Sequence, residues 1–212
     1  KWYSNTVSAV VVPPGIDGAD VIVAQGMEAG GHIGPVTTSV LAQEILPVIR
    51  DVPVFVAGGI GRGEAIVGYL EMGASGVQLG TRFVCAEESI AHANFKKAFI
   101  NANARDASAS VQYHPDFPVI PVRAIANKAS EEFTRFQKET VERVFSGQQT
   151  REEGQLAIEH YWAGALRKAV IEGDVAQGSL MAGQSVGMVD RIQPAEEIIA
   201  LLVAQAEAFL SR

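Results

Sequence analysis

Only one cysteine, Cys85, occurs in 212 residues, which excludes an internal disulfide and suits a reducing cytoplasm as the compartment. Charged residues make up 19% and the formal net charge is −7. There is therefore no basic surface to draw in nucleic acid or an anionic membrane, and an anionic ligand must be held by local amides. No unbroken apolar run approaches the roughly 18 residues of a membrane span, so no membrane partner is expected. The opening KWYSNTVSAVVVPPG has neither the length nor the small-residue cleavage pattern of a signal peptide. It also lacks an initiator methionine, so the chain is expected to begin inside a longer protein. The four histidines and single cysteine show no metal-ligand spacing, and no catalytic metal is expected.

What the chain does have is glycine at the ends of apolar strands. Residues 20–34 read DVIVAQGMEAGGHIG, 52–63 read VPVFVAGGIGRG and 76–83 read GVQLGTRF. The apolar runs 21–24, 54–57 and 77–79 read as strands buried on both faces. Amphipathic stretches predict helices over 37–51 (stripe Leu41, Ile45, Val48, Ile49), over 62–72 (Ile66, Val67, Leu70) and over 87–102. Pro47 should bend or shorten the first, and Gly73 should stop the second. Strands about 25 to 30 residues apart with helices between them mean parallel βα units. One spacing is awkward. Residues 7–12 also read as a strand, yet only about eight residues separate them from Val21, and a parallel crossover needs about a dozen or more. Either the two runs are not adjacent parallel strands, or a connecting helix is missing.

After Arg105 the character changes. Residues 108–128 are rich in proline and β-branched side chains and read as irregular or short-strand structure. Helices are expected over 130–145 and 150–172, the second amphipathic through Ile158, Trp162, Leu166 and Val170. A last helix should start at Pro194, with Glu196 and Glu197 at its positive end. Ile198, Ile199, Leu202, Val203 and Leu210 should dock it. The organisation expected is 1–104 as part of a barrel, 105–190 as a smaller helical substrate or lid domain, and 191–212 as a closing helix.

Ala57-Gly58-Gly59 follows one strand, and Gly80-Thr81 follows the next. Side-chain-free backbone can approach a ligand closely, and amides at a helix start favour an anion. Two such loops on successive strands form a phosphate cup of the kind found at the carboxyl ends of parallel barrel strands. The plain alternative is a pair of tight βα turns. His32 lies among Gly30, Gly31 and Gly34, where an imidazole can exchange a proton with a bound molecule or simply satisfy a loop carbonyl. His92, His114 and His160 lack such a setting. Gln25 and Gln78 at strand ends can hydrogen-bond a heteroaromatic ring or close a loop. Met181 and Met188, in SLMAGQSVGMV at 179–189, either line an apolar cleft or pack in a core. Arg62 and Arg82, beside the glycine loops, read as surface or helix-pairing residues.

These three motifs in this order resemble the FMN-dependent nitronate monooxygenases (formerly 2-nitropropane dioxygenases), a family that also contains the flavin enoyl-acyl carrier protein reductases of type II. The resemblance covers about residues 20–90, with AGQSVGMV supporting it further on. It implies an α/β fold, a TIM (βα)8-type barrel with an inserted smaller domain, and FMN as cofactor. Ala57, Gly58, Gly59, Gly80 and Thr81 would hold the FMN phosphate. Gln25, Gly31, Gln78 and Leu79 would also contact the cofactor, and His32 falls on the catalytic histidine. In the monooxygenase reading, placed first, a nitronate is oxidised with O2 to a carbonyl compound and nitrite, and His32 takes the α-proton of a neutral nitroalkane. In the reductase reading, NAD(P)H reduces FMN and an enoyl thioester is reduced. The GGHIGPVTT wording and the AGQ loop look more like that branch.

Family members run well over 300 residues and place the opening barrel strands before the first motif. Only the late strands are expected here, with 7–12 as a remnant of the fifth, so the chain reads as the C-terminal half of a barrel. Open strand edges then call for pairing with another half or for a homo-oligomer. A non-flavin isomerase or aldolase-like lyase would need a catalytic lysine or paired carboxylates at the strand ends, and none is there. A catalytically silent fragment or binding module is the remaining alternative.

Overall fold

The computed structural model describes residues 20–212 and, as backbone alone, residues 7–9. In chain order its strands are β1 (Val7–Ala9), β2 (Ile22–Gln25), β3 (Gly31–His32), β4 (Val54–Ala57), β5 (Gly76–Gln78), β6 (Ala107–Ala109) and β7 (Val122–Ile125). The helices are α1 (Thr38–Ile45), α2 (Gly63–Glu71), α3 (Ala93–Ile100), α4 (Lys128–Phe145), α5 (Arg151–His160), α6 (Ala165–Val170) and α7 (Ala195–Leu210). Short 3-10 turns lie at Thr81–Phe83, Ala104–Asp106 and Gln184–Met188.

The larger sheet has the order β1-β2-β4-β5. β2 pairs parallel with β4 and β4 parallel with β5, with Gln25 beside Ala57 and Ala57 beside Gln78. That register brings three strand ends to one rim. The apolar runs pack against α1 through Ala24, Leu41, Ile45, Val54 and Val56. The fold is α/β with parallel βα units, and among the described residues the sheet stays open.

β1 overturns one expectation. It pairs with β2 antiparallel, Ser8 opposite Val23, so it is not a parallel fifth barrel strand. The short connection that forbids a parallel crossover is compatible with an antiparallel neighbour. The rest of that run, residues 10–12, lies outside the described residues.

A smaller antiparallel sheet has the order β3-β7-β6. The segment 105–190 is therefore not helical alone, and β3 joins it from the first part of the chain. Phe117, Phe133, Val141 and Ile158 form the core beneath α4 and α5. The helix expected over 150–172 is broken: α5 ends at His160, and Gly164, at φ 76°, precedes α6. Leu166 is exposed as a result. α3 begins at residue 93, because His92 caps it by accepting a hydrogen bond from the Asn94 amide at Nδ1. α1 stops before Pro47, leaving Val48 78% exposed, and Leu70 on α2 is exposed as well. Pro194 sits at the N-cap of α7, not inside it, and the capping acceptor is the Glu88 carboxylate, 2.9 Å from the Ala195 amide. Ile198 and Leu202 of α7 are buried against Ala86; Ile199, Val203 and Leu210 are exposed.

Candidate functional site

The rim made by β2, β4 and β5 opens into a cleft of about 300 Å³. Gln25 closes β2 and lines it, as do Ala57, Gly58 and Gly59 after β4 and Gln78, Leu79, Gly80 and Thr81 after β5. Gly31 lines it from β3. Every residue that the sequence motifs assigned to a cofactor thus meets at one cavity. Ala29, Gly30, Ile60, Val84, Met181 and Ser185 complete the wall, and no lining side chain carries a charge. An anion placed there meets no carboxylate on the wall.

The loops are held from behind. Glu28 accepts hydrogen bonds at Oε2 from both the amide and the hydroxyl of Thr38, each 2.8 Å. The Thr38 hydroxyl also lies 3.1 Å from the Gly58 carbonyl oxygen. This cluster ties the β2 loop, the start of α1 and the β4 loop together, and Thr38 is buried. A carboxylate at the first turn of α1 is also well placed against the helix dipole. Thr81 Oγ1 accepts from the Gly183 amide at 2.9 Å, which leaves its own O–H free to donate. Gln25 Nε2 donates to the His32 carbonyl at 2.7 Å, so this amide closes the loop that carries the histidine.

His32 stands apart from the cleft wall. It lies on β3 opposite Val122 of β7, and its side chain is exposed. Arg123 fastens this sheet to the larger body: Nε donates to the Met27 carbonyl at 2.9 Å and Nη1 to the Ala107 carbonyl. Burial pushes its guanidinium pKa down, and the nearby Glu28 charge opposes that. Arg62 pairs with Glu64 on the surface, and Arg82 is buried beside Gln193; neither lines the cleft. Met188 packs on Gly61. Burial also pushes the Cys85 thiol pKa up, against the pull of Lys96 and Arg82. Among the described residues no three His, Cys, Asp or Glu side chains gather to hold a metal, and no helix is long and apolar enough to cross a membrane.

Glu28, Thr38, Ser185 and Arg123 were not singled out from the sequence. Their contacts join segments 10 to about 100 residues apart, and no local pattern marks such partners. Met181, for which the sequence allows core or cleft, lines the cleft.

Parallel βα units that converge on an uncharged, glycine-walled cleft define the ligand-binding end of an α/β enzyme fold. Residues 11–205 match the family model described as nitronate monooxygenase. The chain belongs to the nitronate monooxygenase family, a family of oxidoreductases. Among solved structures it is similar to FabK from Thermotoga maritima, at 34% identity and TM-score 0.74, covering 92% of this chain and 56% of that one. It is also similar to a nitroalkane oxidase from Streptomyces ansochromogenes, at 27% identity and TM-score 0.68, covering 92% and 53%. A relative from Rhodococcus jostii, named a 5-hydroxy-7a-methyl-1-oxo-octahydroindene-4-carboxyl-CoA dehydrogenase, is 28% identical over 210 residues, 89% of this chain and 59% of its own length. The chain spans between half and three fifths of these proteins.

Proposed function

We propose that this chain is the C-terminal half of a (βα)8-barrel flavoenzyme and that its cleft holds FMN. In this reading residues 1–104 form the barrel portion, 105–190 cover the substrate and 191–212 close the body. The observation that carries it is the meeting of all the motif-assigned residues in one uncharged cavity. The residues fit a phosphate-bearing cofactor. A Cβ on Gly80 would meet no atom within 4 Å, so its backbone borders open space, and the Thr81 hydroxyl has a proton to give. When bound, FMN supplies the ring that exchanges electrons with the substrate. Gly80 lets backbone close on the phosphate beside the Ala57-Gly58-Gly59 loop, Thr81 donates to it, and Gln25 and Gln78 hold the ring by their amides.

The reaction placed first is oxidation of an alkyl nitronate with O2 to a carbonyl compound and nitrite. His32 takes the α-proton when the neutral nitroalkane binds. The family match and the likeness to a nitroalkane oxidase support it. NAD(P)H-dependent reduction of an enoyl thioester is the second reading, favoured by the likeness to FabK, an enoyl-acyl carrier protein reductase II. There His32 assists protonation or orients the thioester.

Two assays on one FMN-loaded sample separate them. Nitronate-dependent oxygen uptake without NAD(P)H supports the first, and NAD(P)H oxidation dependent on enoyl thioester supports the second. His32→Ala is expected to cut turnover of the neutral nitroalkane or enoyl substrate by about 10² to 10⁴ while FMN stays bound. Unchanged turnover would remove the histidine from the mechanism.

A further inference from the structure

The wall of the cleft carries no charged side chain, yet a phosphate monoester brings about two negative charges at neutral pH. Amides and a hydroxyl meet part of that charge. A full positive charge nearby would offset more of the cost of taking it out of water. Among the described residues three cations are buried, Arg82, Lys96 and Arg123, and no carboxylate is buried with them.

Two of the three are accounted for within the fold. Lys96 Nζ donates to the carbonyls of Ala86 and Glu87 at 2.6 and 3.3 Å, and its charge draws on the Glu88 carboxylate at the surface. Arg123 donates to the carbonyls of Met27 and Ala107, and the Glu28 charge answers its own. Arg82 has neither kind of partner. It is 3% exposed. Nη2 lies 3.5 Å from Gln193 Oε1, beyond the usual range of a hydrogen bond. Nη1 is buried with no acceptor, and so is the donor Nε2 of Gln193. Among the described residues no carboxylate forms an ion pair with Arg82. A buried guanidinium without a counter-charge destabilises a fold, and an anion brought in by a ligand would offset that.

Arg82 stands where such an anion is expected. It follows Thr81 directly, in the 3-10 turn Thr81–Phe83 that Gly80 opens, and consecutive Cα atoms lie about 3.8 Å apart. The turn is pinned from the far end of the chain. The Gln193 amide donates to the Cys85 carbonyl at 3.3 Å, and the Glu87 amide donates to the Gln193 carbonyl at 3.0 Å. Arg82 does not line the cleft, so its effect on a ligand runs through its field, which surroundings poorer in water than the bulk screen only weakly. Glu28 lies behind Gly59 on the other side of the cleft, but Arg123 balances it. The uncompensated buried charge beside the cleft is therefore positive and belongs to Arg82.

We propose that Arg82 is the counter-charge of the ligand's phosphate. It draws the phosphate toward Gly80 and Thr81 without touching it, and it makes the cleft prefer the phosphorylated flavin to riboflavin. The inference rests on the reading of this cleft as an FMN site.

Titration of the purified chain with FMN and with riboflavin, beside a urea midpoint for each variant, tests it. Arg82→Met removes the charge and should weaken FMN binding by about tenfold while riboflavin binding is unchanged. Arg82→Lys should recover most of that loss. Gln193→Glu, nearly isosteric, sets a carboxylate against the guanidinium. It should raise the urea midpoint by pairing the buried charge, yet weaken FMN by about tenfold with riboflavin unchanged. It also covers the case in which Arg82→Met fails to fold. An arginine that only braces the turn predicts otherwise: Gln193→Glu would bind both flavins at least as well, and Arg82→Met would lose both alike. Either of those results would overturn the proposal. A wild-type chain that binds neither flavin removes the FMN site and this inference with it. A chain that binds FMN with the same preference over riboflavin in every variant keeps the site and overturns the role of Arg82 alone.

Discussion

Gly58 and Gly80 both wall the first cleft, but the backbone gives them different work. Gly58 has φ 101°, and a Cβ there would meet the Thr38 hydroxyl at 2.9 Å and the Gly26 carbonyl at 3.0 Å. Gly80 has φ −98° and open space where a Cβ would stand. Gly58→Ala is therefore expected to cost about 1–2 kcal/mol from backbone conformation alone, read as a lower urea midpoint. Gly80→Ala should leave that midpoint unchanged and still weaken FMN binding, by about tenfold for a lost contact of about 1.4 kcal/mol. Equal destabilisation by the two, or full FMN affinity in Gly80→Ala, would mean the loops are ordinary turns. At this scale the sequence was informative because glycine directly after an apolar run is a local signal. The Glu28–Thr38 cluster was not legible, since nothing near either residue announces the other. Nor was the face on which His32 lies, which depends on pairing with a strand about 90 residues away.

Helices show the same division between local and distant causes. β4 falls on its apolar run, 54–57, without adjustment, and α2 lies within one residue of its expected ends. The helix expected over 150–172 failed because hydrophobic spacing continues through Gly164, while α5 stops at His160 and that glycine takes a left-handed conformation at the start of α6. The N-terminus of α5 carries a testable acid sensitivity. Thr150 and Glu153 form a capping box, with the Glu153 carboxylate 2.9 Å from the Thr150 amide. Hydrogen bonds from the Thr150 backbone and side chain hold the Glu153 pKa below its ordinary value of 4.5. Because the folded pKa is the lower one, this stabilisation is present above pH 4.5 and is lost as pH falls through the folded value. Glu153→Gln should therefore flatten the fall in urea midpoint between neutral and acid pH, with the two proteins converging at the acid end. Parallel curves for wild type and variant would show that the cap contributes nothing to acid sensitivity.

Across the whole molecule, the larger sheet and the smaller sheet meet at one rim, and α7 packs behind it on α2. α7 crosses α2 at Gly63, where a side chain would collide with the Leu202 carbonyl, and Gln205 accepts from the Gly63 amide at 2.9 Å. This contact fixes the helices behind the larger sheet, while Arg123 fixes the smaller sheet at the front. The parallel βα order was legible from strand spacing. The antiparallel place of β1 was not, because a short connection excludes one arrangement without choosing among the rest. The chain covers 56% of FabK and 53% of the nitroalkane oxidase, and all the residues of the proposed cofactor site lie within it. Titration of the purified chain with FMN, followed by flavin fluorescence, tests that site most directly. Saturable binding of one FMN per chain is expected, weakened by Gly80→Ala at an unchanged urea midpoint. A chain that leaves FMN fluorescence untouched, or binds it equally well with Gly80 substituted, would contradict it.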